Sequence, residues 1–204
     1  MRVLYTLFVF FLIASSFAEE LRSGDVILQS FDCRRCRLIQ SESNSPWNHV
    51  GVVVKDQNGD IKIAESFTGV ALIDPSLYLA RGSLNVLFRS KDLLHLYENP
   101  DAFLQFEKEL TELYYEKFQG SSYDTAFLWD NWGSNGRETL YCSEFVTKIL
   151  NPFLREAIVP YPMSFKKNYE AWRVVFKGNV PEGLPGVGPV YFSRSNLFVE
   201  VGQL

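Results

Sequence analysis

The sequence predicts a single α+β domain in which a small, mostly antiparallel sheet packs against a helix that begins at a cysteine. A strand-like run over residues 49–54, a turn and a returning apolar run over residues 61–67 predict a β-hairpin. After Cys142, apolar residues recur at helical spacing until Asn151 and Pro152 end the pattern. The chain of 204 residues, 47% of them hydrophobic, is long enough to form one domain with a full core.

The remaining segments predict a scaffold around this pair. We expect a short helix over residues 75–80 and a strand over residues 84–88. Asn99 and Pro100 predict the start of a longer helix that runs to about Phe118. Its expected buried stripe comprises Phe103, Phe106, Leu110, Leu113 and Tyr114. The aromatic run over residues 190–192 reads as strand-like, compatible with a lid or with an edge strand that closes the sheet.

Cys142 and His49 have the residue types of a nucleophile and its base. The thiolate is the reactive form of cysteine, and the free N–H groups and dipole of a helix N-terminus stabilise an anion. His49, one of two histidines, begins the first strand of the hairpin, whereas His95 lies in a leucine-rich segment and is placed outside the site. The alternative for Cys142 is a buried small apolar residue, and for His49 a structural strand-end histidine.

The hairpin loop decides whether Glu65 can join this pair. A two-residue turn would point Glu65 and His49 to opposite faces of the sheet. A three-residue loop over residues 57–59, with Gly59 in the left-handed conformation, pairs Gly51 with Glu65 and makes His49 its diagonal neighbour. Glycine at the last loop position favours this second register. We therefore predict Cys142, His49 and Glu65 as the catalytic residues, with the Cys142 helix packed on the sheet face that bears His49 and Glu65.

The chain resembles the permuted papain-like branch of the NlpC-type hydrolases, the YiiX-like and LRAT-like proteins. The motifs that carry the resemblance are Ser-Gly-Asp-Val-Ile-Leu at 23–28, Ser-Pro-Trp-Asn-His-Val-Gly at 45–51, Ala-Glu-Ser at 64–66, Ser-Ser-Tyr-Asp at 121–124 and Tyr-Cys-Ser-Glu-Phe-Val at 141–146. The tyrosine before the cysteine and the serine after it favour the YiiX-like group over the retinol acyltransferase-like members, which carry Asn-Cys-Glu-His-Phe-Val.

The resemblance implies a circularly permuted papain-like fold and a Cys–His–polar triad that acts on amide or ester bonds. Cys142 would attack the carbonyl, His49 would activate the thiol and protonate the leaving group, and Glu65 would orient His49. Tyr123 and Tyr141 are candidates for substrate contacts.

Residues 1–18 predict a secretory signal peptide, followed by the hydrolase domain over residues 19–204. Arg2 provides a positive start, residues 3–13 are apolar but too short to span a bilayer, and Ala18 ends a small-residue cleavage pattern. We expect a secreted or periplasmic protein without a transmembrane segment after signal removal.

Cys33 and Cys36 form a C-x-x-C pair whose reading depends on the compartment. A redox motif or half of a zinc site would suit a cytosolic protein, but zinc would require the predicted nucleophile as a further ligand. In an oxidising compartment the pair fits a local disulfide that closes a tight turn, or it could stay reduced. We expect neither a metal site nor a cofactor.

These observations predict an exported cysteine hydrolase that cleaves amide or ester bonds, with a cell-wall peptide or related envelope molecule as substrate. The net charge of −4 provides no basic footprint for nucleic acid. Two alternatives stay open. One is a lipid acyl hydrolase or acyltransferase, and the other is a non-catalytic secreted domain that uses the same groove for binding.

Overall fold

The computed structural model describes residues 20–204, so the predicted signal peptide lies outside the described residues. A six-stranded antiparallel sheet forms the centre of the fold, in the order β4-β3-β2-β1-β5-β8. A separate two-stranded ladder joins β6 to β7. The strands are β1 (Val26–Ser30), β2 (His49–Lys55), β3 (Ile61–Ser66), β4 (Val70–Ile73), β5 (Leu84–Ser90), β6 (Tyr161–Pro162), β7 (Pro185–Gly186) and β8 (Phe198–Gln203).

The helices surround the sheet and confirm the predicted α+β class. They are α1 (Arg34–Ser43), α2 (Pro75–Arg81), α3 (Pro100–Leu113), α4 (Cys142–Leu150), α5 (Tyr169–Val175) and α6 (Tyr191–Arg194). The segments Lys91–Glu98 and Asn151–Phe153 are 3₁₀-helical. In the part of the chain from residue 20 onward, no helix has the length and apolar character that crossing a membrane requires.

The long helix begins as predicted, because the Asn99 side chain caps it by accepting a hydrogen bond from the Ala102 N–H. The α-helical part ends at Leu113, and Tyr114–Phe118 continues as a π-helical turn. Of the predicted stripe, Phe106, Leu110 and Tyr114 are buried, while Phe103 and Leu113 are partly buried against the same core.

The hairpin has the three-residue register. Gly51 pairs with Glu65 and Lys55 with Ile61, and the Asp56 N–H donates to the Asp60 carbonyl across the loop. Gly59 has a φ of 87°, which is the left-handed conformation that the register requires. The predicted pairing is therefore confirmed, and it brings Glu65 to the same side of the hairpin as His49.

The two faces of the sheet carry different helices, and this corrects one expectation. Val50 and Val52 point into the large core with α4, whereas Val53 points into a smaller cluster with Tyr78 of α2. Because side chains alternate along a strand, His49 shares the face of Val53 and not the face that α4 covers. The predicted packing of the Cys142 helix on the His49 face is wrong.

Cys142 nevertheless comes close to His49 and Glu65, because α4 begins at the end of the sheet. β2 starts at His49 and the antiparallel β3 ends at Ser66, so both ends lie together. The Ser66 hydroxyl donates to the Leu140 carbonyl at 2.6 Å, which places the chain leading into α4 beside this end. The start of α4 can therefore contact residues from the opposite face.

Two other segments differ from the sequence-based expectation. Residues 34–43 form α1, a helix that the sequence analysis did not predict, and the expected disulfide between Cys33 and Cys36 is present at its first turn. The strand-like run over residues 190–192 is not a strand, because Phe192 enters the core from the helical turn α6 after Pro189. The edge strand next to β5 is instead β8.

Candidate active site

Cys142 is the first residue of α4 and the free cysteine of the three in the chain. Tyr141 precedes it in an extended conformation, which allows the chain to turn from the sheet end into the helix. The first-turn N–H groups of a helix have no intrahelical acceptors, and with the helix dipole they favour an anion at this end. Cys142 is buried from bulk solvent but lines a pocket, and the thiol is accessible to a small molecule from there.

His49 lies between Cys142 and Glu65. Its Nε2 is 2.6 Å from the Glu65 Oε2, and the ring also hydrogen-bonds to the Cys142 side chain. Because Nε2 faces Glu65, Nδ1 is the nitrogen left for the sulfur. The Phe31 ring stacks on the imidazole with centroids 5.0 Å apart, and the Phe67 ring contacts it edge-on at 5.6 Å. These four contacts fix the orientation of the imidazole.

The surroundings of His49 favour its protonated form. Burial alone would lower the pKa of His49, but hydrogen bonds to Cys142 and Glu65, together with their negative charges, raise the pKa to about 9. The imidazole is consequently cationic at neutral pH.

Glu65 is buried and both of its oxygens are paired. The Arg81 Nη2 donates to Oε1 and to Oε2, at 2.8 Å each. Burial by itself would raise the pKa of Glu65, but hydrogen bonds from His49 and Arg81 and their charges outweigh burial and hold the pKa below its usual value. Glu65 is therefore a carboxylate beside the imidazolium.

A pocket of about 280 Å³ opens beside Cys142. Its walls are mostly apolar and come from α1, from the segment before α4, from residues 161–165 and from residues 187–190. Both tyrosines predicted as substrate contacts, Tyr123 and Tyr141, lie in these walls. Other wall residues are Ile39, Phe127, Met163, Phe165, Trp172 and Val190. The shape and chemistry suit an apolar group attached near the reacting carbonyl.

The two tyrosines also organise the pocket. The Tyr141 hydroxyl accepts a hydrogen bond from the Val187 N–H at 3.1 Å, and the Ser143 hydroxyl donates to the Val187 carbonyl at 2.5 Å. These bonds fix the segment around Val187 against the start of α4. Tyr123 hydrogen-bonds to the Arg35 side chain, and burial raises its pKa above the ordinary value, so the phenol stays protonated near Cys142.

Arg81 and Phe31 contact the site but were not among the predicted site residues. Arg81 ends α2, and Phe31 follows β1, so neither lies in a motif with the histidine or the cysteine. The hairpin register places Glu65 and His49 on one face of the sheet, but it does not indicate which helix covers that face. No signal in the sequence therefore pointed to Arg81. The expectation that α4 covers this face pointed away from it.

A second charged cluster lies farther along α4. Lys148 Nζ is 2.7 Å from the Asp130 Oδ1 and 2.8 Å from the Glu144 Oε1, and it also contacts Glu138. The Asp130 N–H donates to the same Glu144 oxygen at 3.1 Å. The cluster ties the loop before α4 to the helix that carries Cys142. Burial raises the pKa of Glu144 to about 7, although Lys148 and the Asp130 N–H act in the opposite direction.

Comparison with known proteins agrees with this architecture. A crystal structure of the metalloprotein yiiX from Escherichia coli O157:H7 superimposes with a TM-score of 0.73 and 20% identity, over 90% of this chain and 98% of that chain. At that identity the likeness shows the fold alone. No curated protein sequence matches the chain. The family model described as permuted papain-like amidase enzyme, YaeF/YiiX, C92 family, matches residues 20–198. Because this match spans most of the chain, the protein belongs to the permuted papain-like amidases of the YaeF/YiiX C92 family.

Proposed function

We propose that this protein is an exported cysteine amidase in which Cys142 is the nucleophile and His49 is the general acid–base. The observation that carries the proposal is the position of the His49 ring, which hydrogen-bonds to Cys142 on one side and to the Glu65 carboxylate on the other. A nucleophile and base in contact, with a third group that orients the base, is the arrangement that nucleophilic acyl transfer requires.

The proposed reaction proceeds in two steps. The Cys142 sulfur attacks the amide carbonyl, the C–N bond breaks, and the His49 imidazolium transfers its proton to the departing amine. Water then attacks the thioester while His49 takes one of its protons, the C–S bond breaks, the carboxylic acid is released, and the Cys142 sulfur is freed beside a His49 that is protonated again. The Cys142 N–H, at the start of α4, is the candidate donor to the oxyanion in both steps.

The substrate we propose is a cell-wall peptide or a related envelope molecule that carries an amide. The predicted signal peptide supports an envelope or extracellular location. Purified cell-wall peptides should release a new amine with the wild-type protein but not with Cys142→Ser, as measured by mass spectrometry. Equal release by both proteins would contradict the proposal. Arg173→Met provides a control of preparation quality, because Arg173 is exposed and its ion pair is with the exposed Glu170.

A lipid acyl amide or ester is the second candidate substrate. The mostly apolar pocket beside Cys142 favours it, because a fatty acyl chain would bury against the same walls. The same pair of proteins, incubated with phospholipids and with N-acylated amines, separates the candidates. Release of fatty acid that depends on Cys142 would support the lipid, and release of amino acids or short peptides would support the cell-wall substrate.

Export is a separate part of the proposal with its own test. Expression of the full chain in a bacterial host should yield a mature protein that starts at Glu19 in the periplasm or medium. N-terminal sequencing measures this directly. An intact Met1 N-terminus on protein found in the cytosol would contradict export without affecting the proposed chemistry.

A metal also needs consideration, because the similar E. coli protein is called a metalloprotein. Within residues 20–204, Asp130, Glu138 and Glu144 are the acids whose oxygens come close enough together to hold an ion. The Lys148 ammonium contacts all three and already supplies the positive charge at their centre. These residues therefore do not fit a divalent cation. We expect Cys142-dependent activity to survive treatment with EDTA, and loss that Zn²⁺ or Mn²⁺ restores would contradict this assignment.

A further inference from the structure

We propose that Arg81 is a positioning residue of the site, which holds Glu65 as a paired carboxylate and through it fixes His49 opposite Cys142. This inference rests on the proposed function, because it assigns Arg81 a part in the same chemistry. Arg81 would not touch the substrate or the sulfur. Its effect would pass through Glu65 and His49.

The contacts of the Arg81 side chain support this role. Its Nη2 lies 2.8 Å from each Glu65 oxygen, while Oε2 is at the same time 2.6 Å from the His49 Nε2. The carboxylate therefore sits between one guanidinium and one imidazole. A buried carboxylate in this position cannot rotate away from His49 without losing bonds to Arg81 as well.

Aromatic rings hold the guanidinium in place. Its central carbon lies 5.2 Å from the Phe67 ring centroid, 5.3 Å from that of Tyr78 and 5.8 Å from that of Phe31. Phe31 and Phe67 also contact the His49 ring. The same rings thus pack against the base and against the arginine. A planar guanidinium suits such stacking better than a lysine ammonium does.

The charged and titratable groups around Glu65 leave Arg81 with a distinct task. His49 faces Glu65 from β2, Arg81 and the buried phenol of Tyr78 face it from α2, and Cys142 lies beyond His49 on α4. Among these groups, Arg81 is the cation whose charge does not depend on pH. It would keep Glu65 ionised when His49 transfers its proton to the leaving group, which is when the carboxylate loses its other cationic partner.

The test uses the reactivity of Cys142 and needs no substrate. The second-order rate of Cys142 alkylation by iodoacetamide would be measured from pH 5 to pH 9 in the full mature protein. The variants are Arg81→Met, Arg81→Lys, Glu65→Gln, the double variant Arg81→Met/Glu65→Gln, and Arg173→Met as a charge-matched control. Methionine keeps much of the length and apolar contact of the side chain but removes the donors.

We expect Arg81→Met to react about tenfold more slowly at pH 6, because the charged hydrogen bonds to Glu65 are lost. In the plot of its alkylation rate against pH, the rise on the acidic side (the acid limb) should move to higher pH, since Arg81 no longer holds the pKa of Glu65 down. The double variant should react no more slowly than Glu65→Gln alone, because Arg81 acts through Glu65. Arg81→Lys should recover part of the rate, and Arg173→Met should match the wild type.

Two results would overturn the proposal. One is an Arg81→Met protein with the wild-type rate and acid limb, and the other is a double variant whose loss equals the product of the two single losses. If Arg81→Met does not fold, as judged by circular dichroism, the neutral variant Arg81→Gln decides, and a wild-type rate there overturns the role. His49→Ala separates this from the proposed function. Alkylation that is equally fast without His49 refutes both, whereas His49-dependent alkylation that ignores Arg81 refutes only the role of Arg81.

Discussion

Glu65 and Glu144 are both buried glutamates beside a cation, yet their pKa values move in opposite directions. Glu65 has both oxygens paired, with Arg81 on each and His49 on one, and its pKa falls below the usual value. Glu144 has one oxygen paired with Lys148 and with a backbone N–H, whereas its Oε2 is buried without a partner among the described residues. Its pKa rises to about 7.

The difference shows that a neighbouring cation alone does not keep a buried carboxylate ionised. Burial raises the pKa of both groups. At Glu65 the hydrogen bonds and charges of His49 and Arg81 outweigh burial. At Glu144 the negative charge of Glu138 adds to burial, and the one cation, Lys148, does not reverse it. The fixed negative charge of Glu65 suits a partner of a cationic histidine. Glu144 changes its protonation near neutral pH, so we expect it to influence stability and not the chemistry at Cys142.

The largest expected effect tests whether the reaction takes place at Cys142 and His49, next to Glu65, and not near Glu144. Cys142→Ala and His49→Ala should each lower kcat/KM by about 10³-fold or more, because each removes half of the proposed nucleophile–base pair. The double variant should be no worse than either single one. Steady-state kinetics would measure this, on the substrate that the comparison of wild type with Cys142→Ser identifies. Glu144→Gln should keep most of the wild-type rate. A loss as large as that of His49→Ala would contradict the assignment of the reactive centre to Cys142 and His49.

Glu65→Gln should have the next largest effect and should change the pH profile. We expect kcat to fall about 10- to 100-fold, since a neutral amide orients His49 less firmly than a carboxylate does. The negative charge of Glu65 contributes to the raised pKa of His49, which is about 9 in the wild type. The alkaline limb of the rate profile, where His49 loses its proton, should therefore move from about pH 9 toward neutral pH. An unchanged alkaline limb would show that Glu65 does not act on His49.

The sequence was sufficient for the part of this site that depends on local pattern. The hairpin register follows from Gly59, because glycine adopts the left-handed conformation that a three-residue loop requires. The helix that begins at Cys142 follows from the apolar spacing after that residue, and its end follows from Asn151 and Pro152. Both predictions rest on residues that are close in the chain.

The parts that were missed depend on contacts between distant segments. Arg81 reaches Glu65 because α2 covers one face of the sheet and α4 the other, and no spacing in the sequence encodes which helix takes which face. The run over residues 190–192 has strand-forming residue types, but burial of Phe192 from the turn α6 outweighs that preference. The C-x-x-C spacing and the expected export favoured the disulfide, with a reduced pair as the alternative, whereas the helix α1 that begins there was not predicted.

A substitution of Gly51 tests whether the sheet face that carries Glu65 depends on close packing of the strands against α2. A Cβ on Gly51 would come within 2.6 Å of the Ile63 Cγ2 and 3.0 Å of the Tyr78 ring. Gly51→Ala should therefore lower the free energy of unfolding by about 2–3 kcal/mol, since the small cluster under α2 would have to expand. Urea denaturation would measure it. Gly202→Ala is the control, because a Cβ there meets no atom within 4 Å, and equal stability of the two variants would contradict the packing argument.

The last prediction concerns Glu144 and is a dependence of stability on pH. Folded Glu144 keeps its proton up to about pH 7, whereas the ordinary value for the unfolded chain is 4.5. Between these values the folded state binds more protons than the unfolded state, so stability falls as pH rises. The stabilisation is complete below pH 4.5 and is lost above pH 7. Glutamine cannot ionise, so Glu144→Gln should remove this dependence.

Urea denaturation of the wild type and of Glu144→Gln at pH 5 and at pH 8 would measure the effect. Between these pH values the wild type should lose about 2–3 kcal/mol more than the variant, somewhat less than the full shift because pH 5 already lies above the ordinary value of 4.5. Asp25 and His49 also have raised pKa values, so they too lower the stability as pH rises. Their contributions are the same in both proteins and cancel when the change in the variant is subtracted from that in the wild type. Glu112→Gln is the control, because Glu112 is exposed and its ion pair with Lys108 lies on the surface. If Glu144→Gln and Glu112→Gln show the same pH dependence as the wild type, the unpaired oxygen of Glu144 does not hold a proton near neutral pH, and the contrast with Glu65 lies only in geometry.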